Sequence, residues 1–322
     1  MKVQSPRVLA VGDLMVELCF VVTDAWSADP DIPVHSQSIS CGGSAANFSA
    51  CLAQLDQEVR LLAQVGSDDF GEFLLDDLNR YGVPQEAITR VTGPSSTTAI
   101  IIGADGDRRF LSFRSPAEVD YGHMNAAEAI EGCTWVHISG FVFQRPASAA
   151  FARNLVTVAG TAGLTVSIDP SPLFADYVKT DPSLLGEVDY LFPNEYEAQA
   201  LTGQSDAAVA AADLHRLGVG TAIVTVGDGG CVLHGHEGLV AQLATPPVPD
   251  VVDSTGAGDA FAAGFISALQ AGLTAIQAAE LGMCVAGEVI GQVGGHCGAP
   301  TRAKLVSTHP WLHPIVSQLT GT

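Results

Sequence analysis

The run Val251-Val-Asp-Ser-Thr-Gly-Ala-Gly-Asp-Ala-Phe-Ala-Ala-Gly264 limits the possible folds more than any other stretch of this chain. Its two valines read as the end of a buried strand and are followed by a glycine-bearing turn. From Ala257 onward, Ala260, Phe261, Ala263, Phe265, Ile266 and Leu269 recur at helical spacing. A strand feeding directly into a helix is the repeating unit of α/β proteins. The region from Trp135 continues the rhythm, with expected strands at 135–139, 165–169, 190–192 and 222–226 and helices at 147–158, 195–201 and 207–217. Strands alternating with helices imply a mostly parallel, Rossmann-like sheet covered on both faces, with functional loops at the carboxyl ends of its strands. The 322 residues, 47% of them hydrophobic, suffice for one large core, so the whole of 1–322 reads as a single domain.

The turn itself carries chemistry. Gly256 and Gly258 let the backbone approach a ligand, and the first amides of the following helix, around Ala257, have no intrahelical partner and carry the positive end of its dipole. An anion such as a migrating phosphoryl group suits that position. Asp259 would bind an anion poorly but is well placed to take a proton from a hydroxyl attacking it. On its own, such a stretch could be a helix start with a dipole-complementing acid. The full run Asp253-Ser-Thr-Gly-Ala-Gly-Asp-Ala-Phe261, however, resembles the C-terminal signature of the PfkB (ribokinase-like) carbohydrate kinases.

The resemblance extends toward the N-terminus. Gly12-Asp-Leu-Met-Val-Glu17 follows an expected first strand at 7–11 and matches the family's sugar-holding Gly-x-x-x-x-Asp pattern, with Glu17 in place of Asp. Carboxylates such as Asp13 and Glu17 suit polyol hydroxyls, because each accepts from an O–H. Gly42-Gly43-Ser-Ala-Ala-Asn47, together with Val65-Gly-Ser-Asp-Asp-Phe-Gly71, resembles the N-terminal family signature, in which the glycine pair and the asparagine contact the substrate. Two short strands at 97–103 and 109–113, joined through Ala104-Asp-Gly-Asp107, read as a hairpin, and residues 23–40 are polar with no strong periodicity. With about 14–40 and 95–120 set apart in this way, the resemblance implies a small β-sheet lid that covers the sugar and keeps out water. Arg114, just past the hairpin, reads either as pointing to the substrate or, as is commoner for such an arginine, as a solvated edge residue.

The remaining motifs concern the nucleotide. Pro193-Asn-Glu-Tyr-Glu197 could be a helix cap with first-turn acids. The resemblance instead implies that Asn194 and Glu197 serve Mg²⁺ through its water shell. Thr225, Gly227 and Gly230 match the strand-end Thr-x-Gly and following glycines that meet ATP phosphates in the family, and a Walker-type run is absent from the sequence. Asp253 and Thr255 stand where the resemblance suggests a K⁺ site. Gly294, Gly295 and Gly298 read either as a border to the adenine or cation loop or as a plain turn, and Cys284 occupies a place where many relatives carry Asn. Asp169-Pro-Ser-Pro172 departs from the family's Asp-x-Asn-x-Arg pattern, so the acceptor stays open.

Charge and cysteine content narrow the partners. Against 35 acidic residues stand 14 Lys and Arg, a formal charge of −21 that disfavours nucleic acid and anionic membranes. Seven cysteines without Cys-x-x-Cys spacing read as free thiols in a reducing, cytoplasmic setting, and His234-Gly-His236 reads as a turn with no metal partner beside it. The reading is an ATP- and Mg²⁺-dependent kinase that transfers the γ-phosphoryl group to a hydroxyl of a small sugar. In it Glu17, Gly43 and Asn47 hold the acceptor near Asp259, while the amides from Gly256 to Gly258 stabilise the transferring charge. A nucleoside kinase of the same fold and a non-catalytic sugar- or nucleotide-binding regulator are the alternatives. A homodimer joined through the lid is the assembly the resemblance suggests. An NAD-dependent dehydrogenase would need an early Gly-x-Gly-x-x-Gly, which is missing.

Overall fold

The computed structural model describes residues 7–23, 31–103, 108–115, 121, 124–236, 238–246 and 251–319. Its strands are β1 Arg7–Val11, β2 Met15–Val22, β3 Val34–Gly42, β4 Glu58–Gly66, β5 Ile88–Val91, β6 Thr97–Ile102, β7 Arg108–Phe113, β8 Trp135–Ser139, β9 Thr165–Asp169, β10 Tyr190–Leu191, β11 Thr221–Thr225, β12 Cys231–Gly235 and β13 Gly238–Leu243. The helices are α1 Ser44–Gln54, α2 Asp69–Arg80, α3 Ala126–Ala129, α4 Pro146–Thr161, α5 Pro172–Thr180, α6 Glu195–Thr202, α7 Ala207–Arg216, α8 Ala257–Gln270, α9 Ala275–Val289, α10 Arg302–Thr308 and α11 His313–Val316.

The nine-stranded sheet has the order β13-β12-β11-β10-β9-β8-β1-β4-β5. It is parallel except where β11, β12 and β13 run antiparallel. Side chains of β1 alternate between the two faces. Val8 and Ala10 join the core formed with α1, α2, α8 and α9, whereas Leu9 and Val11 join the opposite core formed with α4, α5 and α7. Burial on both faces is why β1 reads as an apolar run, and β8 is equally buried although it carries His137 and Ser139. Strand order reverses around β1, so the crevice at its carboxyl end is where an α/β sheet takes ligands.

A separate four-stranded sheet has the order β3-β2-β6-β7, with β2 and β6 parallel and the other pairs antiparallel. β2, β6 and β7 lie within the two segments set apart in the sequence, and β3 runs past the first of them to Gly42. The polar stretch before Ser40 is not irregular throughout, because β3 begins at Val34 and pairs along the length of β2. Its exposed, mostly polar residues give no apolar alternation to reveal a strand. The expected hairpin turn at 104–107 lies outside the described residues, as do 24–30 and 116–120. On the outer strands Ile39, Phe110, Leu111 and Phe113 are exposed.

One expectation is corrected. Val251 and Val252 do not end a buried strand. They are 61% and 54% exposed, and the chain is held there by Val252 and Asp253 amides donating to the Ile290 carbonyl. β5 is a further parallel edge strand on β4, too short and too polar to stand out in the sequence. All seven cysteines are free, and among the described residues no helix is long and apolar enough to cross a membrane.

Candidate active site

The turn before α8 is built around Gly256, whose φ of 77° is left-handed. A Cβ there would lie 1.8 Å from the Gly295 carbonyl oxygen, so only glycine lets the turn seat against the late glycine loop. Asp253 locks the same corner. Its Oδ1 accepts from the Thr255 amide at 3.0 Å and the Thr255 hydroxyl at 2.8 Å, and its Oδ2 accepts from the Gly294 amide at 3.0 Å. The helix then starts with Ala257 and Gly258 amides at its positive end, and Asp259 is its third residue.

Asp259 is buried and held from α1. Its Oδ1 accepts from Ser44 Oγ at 2.7 Å and its Oδ2 from Asn47 Nδ2 at 2.8 Å. Ser44 also lies 3.4 Å from Asp169 Oδ2, at the end of β9. Burial pushes the Asp169 carboxyl well up, and the neighbouring Asp259 and Glu197 charges push it further. Burial raises Asp259 as well, but bonds from Ser44, Asn47 and Asp169 hold it down. Both carboxyls are thus raised, as expected of two neighbouring buried acids that cannot both ionise cheaply.

The other acids come from the small sheet and from β1. Glu17 on β2 is 9% exposed and packs over Gly42, where a Cβ would fall 2.3 Å from its carboxyl carbon. Burial raises Glu17 to about 7, helped by the charges of Asp253, Asp259 and Asp13. Gly43 sits against the Asp13 backbone. Asp13 Oδ2 accepts from Arg114 Nη1 at 2.9 Å and its Oδ1 from Ser139 Oγ at 3.2 Å. Arg114 is therefore not a solvated edge residue. Its guanidinium is largely buried, paired with Asp13 and 5.1 Å from the centre of the Phe141 ring.

Two contiguous cavities meet at the start of α8. A cavity of about 170 Å³ is lined by Asp169, Phe192, Asn194, Glu197, Thr225, Ser254, Gly256, Ala257, Gly258 and Asp259. A larger one of about 310 Å³ shares Thr225, Ser254, Ala257 and Gly258, and continues along Gly227, Gly230 and Thr245 to Val251, Phe261, Met283, Ala286 and Ile290. Polar groups at one end and apolar ones at the other match a nucleotide with its phosphates toward Asp259. Asn194 and Glu197 form a reciprocal capping box on α6: Glu197 N donates to Asn194 Oδ1 at 2.9 Å and Asn194 N to Glu197 Oε2 at 3.0 Å. The local cap and the place on the cavity wall coexist. Burial raises Glu197 to about 7.

The expected residues thus divide. Asp259, Gly256, Ala257, Gly258, Asn194, Glu197 and Thr225 share one cavity wall, and Gly227 and Gly230 line its extension. Asn47 stands behind Asp259 with both ends of its amide taken, the oxygen by His296 at 2.8 Å. Gly294, Gly295 and Gly298 line neither cavity and serve instead as close-packing positions. Cys284 is buried and lines neither cavity. The two histidines of 234–236 flank the β12–β13 turn as expected, with His215 beside both. Sequence reading passed over Ser44 and His296. Ser44 follows the glycine pair at a helix start, a signal that could have been weighed; a lone histidine in a glycine loop gives none.

A family model described as pfkB family carbohydrate kinase matches residues 5–302. An ATP-dependent ribose-1-phosphate kinase of Halopiger xanaduensis is 32% identical over 269 residues, 81% of this chain and 84% of that protein. A 1-phosphofructokinase of Rhodobacter capsulatus is 29% identical, covering 88% and 90% of the two chains. Among solved structures, Arabidopsis thaliana ribokinase complexed with ribose and ATP superposes with a TM-score of 0.82 at 22% identity, over 99% of both chains.

Proposed function

This chain belongs to the pfkB family of carbohydrate kinases, ATP-dependent enzymes that phosphorylate sugars, and from that premise we propose how its own residues do so and what they accept. Asp259 is the general base, and the amides at the start of α8 are the anion hole. The observation that carries this is the placement of a buried carboxylate on the same cavity wall as those amides. The acceptor hydroxyl lies against Asp259, which takes its proton as the oxygen attacks. Ala257 and Gly258 amides receive the negative charge that develops on the transferring group. Glu17, Gly42, Gly43, Asp13 and Asn47 form the acceptor side.

That side is acidic. Glu17 and Asp13 offer oxygens to hydroxyls, and the Arg114 charge is engaged by Asp13. A neutral, hydroxyl-rich sugar fits it better than a sugar carrying its own phosphate, which distinguishes this chain from the two curated relatives named above. Thr225, Gly227 and Gly230 contact the nucleotide phosphates. Mg²⁺, when bound, would supply charge neutralisation at those phosphates. Asn194 and Glu197 supply hard oxygens whose engagement in the cap suits contact through water. Both Asp253 oxygens accept from three protein donors, so Asp253 supports the turn and is not offered as a K⁺ ligand.

Coupled ADP release with Mg-ATP, with and without K⁺, across free pentoses, free hexoses, sugar phosphates, keto-sugar acids and nucleosides tests the acceptor reading. Free sugars are expected to support turnover at the highest kcat/KM. Preference for a phosphorylated sugar or a nucleoside would overturn the neutral-sugar assignment while leaving the kinase in place. The exposed apolar side chains on the outer strands of the small sheet support a homodimer joined there. Light scattering is expected to give twice the chain mass, and a single-chain mass at micromolar concentration would remove the dimer.

A further inference from the structure

A hydrogen-bonded chain runs from the surface of α2 to the base. Asp77 Oδ2 lies 2.8 Å from His296 Nε2, His296 Nδ1 lies 2.8 Å from Asn47 Oδ1, and Asn47 Nδ2 lies 2.8 Å from Asp259 Oδ2. His296 is fully buried, and the Tyr81 ring meets it edge-on at 4.7 Å. Gly295 presses its backbone so close to the Asn47 amide that a Cβ would fall 2.4 Å from Nδ2. The amide sits in a fixed slot with one partner at each end.

The chemistry of those ends fixes the direction of the chain. An ionised Asp259 only accepts, so it takes the nitrogen of Asn47 and leaves the oxygen facing His296. That oxygen also only accepts, so His296 Nδ1 must carry a hydrogen. Nε2 faces a carboxylate oxygen, and that contact needs a proton too, whichever of the two atoms holds it. The Asp77–His296 pair therefore bears one proton beyond the one at Nδ1. If Nδ1 loses its hydrogen, the Asn47 oxygen meets a lone pair and the amide must turn over. Turned over, it presents oxygen to Asp259, which can then make the bond only as the neutral acid.

We propose that Asp77 and His296 are positioning residues that, through the Asn47 amide, hold Asp259 in the ionised form needed to accept the proton of the attacking hydroxyl. The inference rests on Asp259 being the base. The surroundings make such support necessary. Asp259 is faced by Asp169 from β9, by Ser44 and Asn47 from α1, and by the acids Glu17, Asp13 and Glu197. Burial and the Asp13 charge favour the neutral acid, against the Ser44, Asn47 and Asp169 bonds that favour the ionised one. His296 is faced by Asp77 and Tyr81 from α2, Asn47 from α1, Cys41 from β3 and Cys297 from its own loop, and Arg80 lies 3.8 Å from Asp77.

His296→Phe keeps a flat ring and removes both nitrogens. Its kcat is expected to fall by up to about 10-fold on the acid side, with the acid limb of the kcat–pH profile displaced upward by about one unit and the deficit narrowing at high pH. The sign follows from the base having to be ionised: losing the Asn47 donor makes Asp259 easier to protonate, so more alkaline solution is needed to activate it. His296→Gln, which still offers an N–H toward Asn47, is expected to recover most of the loss. Thermal midpoints and ATP binding identify a variant that has failed to fold. A folded His296→Phe enzyme with the wild-type acid limb overturns the proposal, as does an equal loss at every pH that His296→Gln shares. Asp259→Asn separates the two readings. If it too turns over normally, the base assignment has failed; if it is silent while His296→Phe titrates like wild type, only the relay has failed.

Discussion

Asp259→Asn is expected to lower kcat by about 10²- to 10⁴-fold, the range that a positioned general base contributes. The substitution is nearly isosteric and keeps one oxygen to accept from Ser44 Oγ or Asn47 Nδ2, so the α1–α8 contact should survive. What it removes is the proton acceptor. Nucleotide affinity measured by calorimetry is expected to stay within a few-fold of wild type, because the apolar part of the nucleotide cavity, from Val251 to Ile290, lies away from this side chain. Loss of turnover with ATP binding intact is the signature of chemistry rather than folding. Turnover within tenfold of wild type would mean that another group, with Asp169 the nearest carboxyl, takes the proton.

The second large effect concerns two glycines only two positions apart. Gly256→Ala is expected to reduce turnover by on the order of 10²-fold or more and to lower the thermal midpoint. A left-handed residue with a side chain costs about 1–3 kcal/mol in backbone strain. Its Cβ would also meet the Gly295 carbonyl at 1.8 Å, a contact between two backbones that cannot rotate away. The turn must move, and with it the amides that face the transferring group, where a displacement of about 1 Å can cost 10² in rate. Gly258→Ala is the contrast. No atom lies within 4 Å of a Cβ there, and Ala is the better helix former by about 1 kcal/mol. That variant should fold at least as stably as wild type, yet its methyl borders both cavities and should raise the KM for ATP. Equal behaviour of the two variants, by turnover and calorimetric scan, would show that the turn geometry is not what the first substitution disrupts.

The parts of this molecule that were legible in the sequence are those where one local rule decides. The apolar run of β1 and the helical spacing in α8 follow from burial on two faces or on one. The motif at 253–261 combines turn, helix start and acid within nine consecutive residues. The parts that were not legible depend on partners distant in the chain. β3 shows no apolar alternation because much of it is exposed, so only its pairing with β2 makes it a strand. Val251 and Val252 look like buried strand residues, but both are exposed, and Val251 lines the larger cavity. Arg114 meets Asp13 across 101 positions, and His296 meets Asn47 across 249. No spacing rule reaches that far. Asn194 and Glu197 show that the bland and the functional readings of a motif need not compete, since the same two side chains cap α6 and face the cavity.

The division between the two sheets has a consequence for how such an enzyme can diversify. Every residue lining the nucleotide cavities belongs to the nine-stranded sheet or to its helices and loops, whereas Glu17 sits on the small sheet and Gly42 ends it. Substitutions in β2, β3, β6 and β7 can therefore reshape the grip on the acceptor while the phosphoryl donor's seat and Asp259 stay as they are. Under the proposed assignment the small sheet is the part of the acceptor side that can vary without touching the nucleotide cavity walls, whereas Asp13 and Asn47 tie the rest of that side to β1 and α1.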